Sequence, residues 1–111
     1  MTDVGTFVES LATKLEEMLP GLVKVDRGRQ GFRGPKIVRR IAIDVDGARL
    51  QLDRRDGDVL DCKCARVSGG IVLKTDEIGF DDWLDQLGRA LAAEADRSQR
   101  TRQALERLLL G

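Results

Sequence analysis

The chain has 111 residues, enough for one domain with a modest core. Lysine plus arginine and aspartate plus glutamate both number 19, so no global charge draws the protein toward nucleic acid or anionic lipid. Histidine and tyrosine are absent, which removes the commonest general base, the Ser–His and Cys–His nucleophile pairs, and histidine metal sites.

The opening MTDVGTFVESLATKLEEMLPG carries an early acid and no basic leader region, so it does not read as a signal peptide. No apolar run approaches the roughly 18 residues of a membrane span. The expectation is a cytoplasmic protein that does not enter a membrane and keeps its two cysteines reduced.

Residues 4–19 predict an amphipathic helix: Val4, Phe7, Val8, Leu11, Leu15, Met18 and Leu19 recur at three- and four-residue spacing. Thr6 and Glu9 have the spacing of a capping box, with Thr2 or Asp3 as caps for an earlier start. Pro20-Gly21 ends the helix. LVKVD, 22–26, alternates as a short strand, and the basic, glycine-rich segment RGRQGFRGPK, 27–36, follows.

IVRRIAIDV, 37–45, places Ile37, Ile41, Ile43 and Val45 on one face of a strand, with Arg39 as the exception. Asp46-Gly47 signals a two-residue hairpin turn. It pairs Val45 with Ala48, Ile43 with Leu50 and Ile41 with Leu52, apolar against apolar each time. For the next hairpin a three-residue loop, Arg55-Asp56-Gly57, sets Leu52 opposite Leu60 and Leu50 opposite Cys62, with Gly57 in the left-handed position. Ser68-Gly69-Gly70 is a further turn, and IVLK, 71–74, the last strand.

From Gly79 the pattern is helical again. Phe80, Trp83, Leu84, Leu87 and Leu91 form a stripe, with aspartates early and arginines late as the helix dipole favours. Residues 93–103 are polar nearly all round, and ALERLLL, 104–110, is apolar once more. Either the chain breaks near Ser98 and folds back on helix 4–19, or one helix runs on to pack against another chain.

These elements predict a single α+β domain over 1–111 in two layers. It has an N-terminal helix, a four- to five-strand antiparallel meander, and a long C-terminal helix or helix pair, with 80–111 as a helical extension. The element order resembles that of small dimeric α/β proteins that bind nucleoids and of dimeric secretion chaperones. That resemblance carries no motif and transfers no residue.

The chemistry-bearing patterns are few. No phosphate-binding glycine loop or nucleophile elbow occurs. Cys62 and Cys64 share the apolar face of a strand, as core cysteines do; a zinc site would need two more ligands, from a second chain. DVDGARLQLDRRDGD, 44–58, resembles a calcium loop but has glycine at the fourth position and Arg55 at the twelfth, where bidentate glutamate belongs. No catalytic, cofactor or metal residue is expected, and no enzymatic activity.

Two features remain. Leu105, Leu108 and Leu109 crowd the end of an otherwise polar helix, the mark of an interface. Residues 24–40 hold seven basic residues and one acid. Arg27, Arg29, Arg33, Lys36, Arg39 and Arg40 can fork phosphate oxygens, and Phe32 can stack on a base. A plainer account sets this loop against the acids of 75–96. The leading expectation is a non-enzymatic protein–protein interaction and assembly domain, associating with a second copy of itself as a homodimer and with an unidentified protein partner. The alternative is a nucleic-acid or anion binder using the basic loop.

Overall fold

A computed structural model describes residues 4–29, 34–45, 47–55 and 59–110. The order is α1 (Val4–Met18), β1 (Val23–Arg29), β2 (Lys36–Val45), β3 (Ala48–Arg55), β4 (Val59–Ser68), β5 (Ile71–Ile78) and α2 (Phe80–Leu110). The five strands form one antiparallel meander in sequence order. Both helices lie on one face of it, α1 against β1 and β2, α2 against β4. This is the expected two-layer α+β architecture with the full complement of five strands.

The apolar periodicity of each element selects the core. Val8, Ala12 and Leu15 of α1, with Leu19 beyond it, meet Val38, Ile41, Ile43 and Val45 of β2, Leu50 and Leu52 of β3, and Cys62 of β4. Trp83 and Leu87 complete it from α2. Phe7 meets Phe80 edge-on at 5.8 Å between ring centroids, and Phe80 stacks on Trp83 at 6.5 Å, so the two helix N-termini are fastened together.

The β2–β3 register is the expected one, Val45 with Ala48, Ile43 with Leu50 and Ile41 with Leu52. The turn after it leaves Gly47 at φ +76°. Gly69 and Gly70 both have positive φ, +58° and +82°, as a two-residue hairpin turn matched to the strand twist requires.

Several expectations are corrected. Leu52 faces Cys62 and Leu50 faces Cys64, two residues away from the expected partners. A shift of two keeps every side chain on its own face, so the apolar pattern does not discriminate the two registers. The observed one lets Arg55 of β3 reach Asp61 of β4 at 2.7 Å. The loop expectation at Asp56-Gly57 lies outside the described residues. α1 is already helical at Val4, so Thr6 is not its N-cap. Glu9, instead of closing a capping box, accepts a hydrogen bond from the backbone N–H of Val38 at 3.0 Å. The basic segment is not all loop: β1 continues to Arg29 and β2 begins at Lys36.

The largest correction is in β2. Asp26 pairs with Arg40 but Arg27 pairs with Val38, so Arg39 is an extra residue in the strand, a β-bulge. It reverses the inward phase: Val38, not Ile37, is buried. The arginine that broke the alternation is thereby kept out of the core. A second bulge makes Leu73 the extra residue in β5, where Arg66 pairs with Lys74 and Val67 with Val72.

The bulge makes a sharp prediction. Val38→Ala should lower unfolding free energy by about 2 kcal/mol, from two buried methyl groups at about 0.8 kcal/mol each plus the cavity left behind. Ile37→Ala should cost less than half as much. Urea midpoints of the two variants check the order, which a regular strand would reverse.

Candidate functional site: the α2 overhang and the basic hairpin

Of the 31 residues of α2, Leu87 is the last that is buried. The helix does not break at Ser98 and does not fold back on α1. The longest dimension of the molecule is 59 Å against 29 and 28 Å for the other two. The excess is the length of about 20 helical residues at 1.5 Å each. The distal half of α2 therefore stands clear of the body. Leu105, Leu108, Leu109 and Leu110 at its end are 54, 79, 83 and 87% exposed.

Local interactions hold this overhang helical. Arg97 pairs with Glu94 at 3.1 Å and Arg100 with Asp96 at 3.0 Å. Thr101 donates its hydroxyl to the carbonyl of Arg97. Such surface pairs contribute a few tenths of a kcal/mol each, ~0.3–0.5 in helices. Nothing in them explains four leucines in water.

At the other end of α2 lies a second apolar feature. Val4 and Phe7 of α1, Leu60 of β4, and Phe80 and Leu84 of α2 line an almost wholly apolar pocket of about 280 Å³. All five are half-buried. Sequence periodicity marks each as apolar but does not tell a core position from a rim position.

The basic residues are divided by the bulge. By register, Arg27, Arg29 and Lys36 lie on the helix-bearing face, and Arg39 and Arg40 on the open face. Arg27 forks Glu16 of α1 at 2.6 and 3.4 Å. Arg40 is held by Asp53, and its guanidinium is pushed further up by that hydrogen bond first and the charge of Asp53 second. Arg39 lies across Gly28, where a Cβ would come within 3.4 Å of its Cγ. On the open face a shallow depression brings Arg39, Arg40, Arg54 and Arg55 together with Asp26, Asp53 and Asp61, a nearly self-neutralised set. Phe32 and Arg33 lie outside the described residues. The observed partners of Arg27 and Arg40 are thus Glu16 and Asp53, not the acids of 75–96.

Cys62 is buried and Cys64 half-buried, both reduced. Burial pushes both thiols up, with Asp61 and Asp53 adding to Cys62 and Asp76 to Cys64. Raised thiols are poor nucleophiles and poor ligands until deprotonated. Among the described residues no group of three or more Cys, Asp or Glu could hold a metal ion. No described helix is long and apolar enough to cross a membrane.

Comparison with protein-family models, with curated proteins and with solved structures finds no match to this chain.

The Arg27–Glu16 pair sets one pH dependence. The hydrogen bond from Arg27 holds the Glu16 carboxyl below its ordinary value, with desolvation opposing and the charge of Arg27 adding. A depressed carboxylate contributes stability that is present above its unfolded value and is lost as pH falls through the folded one. Glu16→Gln should therefore flatten the acid limb of the stability–pH curve, removing a small contribution at and above neutrality and leaving stability at the acid end nearly unchanged. Thermal midpoints of both proteins across the acid range test this.

Proposed function

We propose that this protein is a non-enzymatic assembly module that associates through the distal half of α2, and that its partner is a second copy of the same chain. One observation carries the reading: a continuous helix extends its leucine-rich end about 30 Å beyond the body formed by the described residues. An isolated helical segment of that length is marginal in water. Exposed apolar clusters rimmed by charge mark interaction sites. A two-fold dimer is the commonest closed assembly, and it uses each copy's overhang once. Two free cysteines suit a reducing compartment, and we place the protein in the cytoplasm.

A second reading rests on the hairpin end. Arg29 stands directly opposite Lys36, like against like. Such a pair destabilises a ladder unless an anion lies between them. With Arg33 and Phe32 nearby in sequence, this end is our alternative site for a nucleic-acid strand. It predicts binding to single-stranded oligonucleotides that weakens steeply between 50 and 200 mM salt, as counterion release requires, at roughly those concentrations. Absent or salt-independent binding by fluorescence anisotropy removes it.

The leading reading predicts that wild-type protein scatters light at twice 12.3 kDa. Leu105→Glu with Leu108→Glu should return it to the monomer mass. Because both leucines are exposed in the monomer, the circular dichroism of the β-sheet and the thermal transition should be retained. A wild-type mass of 12.3 kDa at high concentration overturns the reading.

A further inference from the structure

The overhang needs a seat, and the chain cannot offer its own. Leu84 and Leu108 are separated by 24 residues of unbroken helix, about 36 Å at 1.5 Å per residue. Within a single copy, the leucine cluster and the apolar pocket between the helix N-termini stay that far apart. In two copies whose α2 helices run antiparallel, each leucine end arrives at the other's pocket.

Charge selects the same orientation. The start of α2 carries Asp81, Asp82 and Asp85, while residues 97–110 carry four arginines against one glutamate. Antiparallel helices set the arginine-rich end beside the aspartates twice over; parallel helices would set like beside like. The other exposed apolar patch, Ile71, Val72 and Leu73 of β5, is flanked by Arg66 and Lys74. Lys74 is paired with Asp76 at 3.7 Å, so this patch lacks the run of acids that the start of α2 offers the basic tail.

Gly88 supplies an independent observation. It lies in the interior of α2 on the same flank as Leu84 and Leu91, spaced i and i+4, then i+7. A Cβ built there meets nothing within 4 Å. Glycine weakens a helix interior, and nothing in the monomer requires its small size. Close approach of a second helix does require it.

We propose that the apolar groove between α1 and α2 is the seat for the α2 tail of a second copy. The two α2 helices lie antiparallel, and the leucines of each tail fill the pocket of Val4, Phe7, Leu60, Phe80 and Leu84 in the other. This rests on the self-association proposed above and adds its orientation and its receiving surface.

The test uses the full chain with Cys62→Ala and Cys64→Ala. Leu84→Cys is placed in one preparation and Leu108→Cys in another that carries a distinguishing tag. Each alone should give no linked dimer with a short bismaleimide, and their mixture should give the linked pair. Self-linking of either single variant overturns the antiparallel seat. So does linking of Leu108→Cys to Leu73→Cys in preference to Leu84→Cys. Gly88→Leu supplies a readout with opposite signs: the thermal midpoint should rise or hold, while the scattering mass falls to 12.3 kDa at concentrations where the parent is twice that. A dimer that survives Gly88→Leu overturns the seat and leaves self-association standing. A parent that is monomeric throughout overturns both.

Discussion

The extra residue at Arg39 is the constraint on which the sheet depends. In a regular β2, the alternation that buries Ile41, Ile43 and Val45 would also turn Arg39 inward, among apolar side chains. Desolvating a guanidinium in an apolar core costs several kcal/mol, roughly as much as a small domain's entire margin. The strand bulges instead. Val38 takes the inward position, and Arg39 and Arg40 both serve the open face. A bulge disrupts the ladder locally, and Glu9 of α1 accepts from the backbone N–H of Val38 there. One carboxylate thus holds the first helix to the strand at the irregular point.

The second organising fact is the mismatch between α2 and the sheet. The first three turns of α2 have a conventional role: Trp83 and Leu87 close the core, and Phe80 joins the two helices. Beyond them the helix outlasts its support. Its aspartates early and arginines late favour the helix dipole. The same arrangement gives the two ends of one helix opposite charge, so the helix is complementary to itself when reversed. In the dimer proposed above, the same residues would both stabilise the helix and orient the partner.

Much of this was legible in the sequence, for identifiable reasons. Asp46-Gly47 between alternating apolar runs specifies both a turn and its register, and β2 pairs with β3 as that signal requires. The β3–β4 register was not legible, because a two-residue shift preserves the faces and the discriminating contacts, such as Arg55 with Asp61, join charged side chains on the polar side. Arg39 signalled an irregularity, but only the pairing of Arg27 with Val38 locates it. The leucine end of α2 could be read from ALERLLL alone. The pocket could not, since Val4, Phe7, Leu60, Phe80 and Leu84 look like core residues until the tertiary arrangement leaves them at its rim. The long-range hydrogen bond from Val38 to Glu9 had no sequence signature at all; Glu9 reads more simply as part of a capping box.

The meander has a kinetic consequence. Every strand pairs only with its neighbours in the chain, so each closure is over a short loop and no crossover must wait for a distant segment. The body can reach its topology within one chain, by a first-order process, before two chains meet. The association proposed through α2 would then be a separate, second-order event between folded subunits. A dimer built that way would not be obligate: subunits would exchange between assemblies without unfolding, and dilution would release intact monomers.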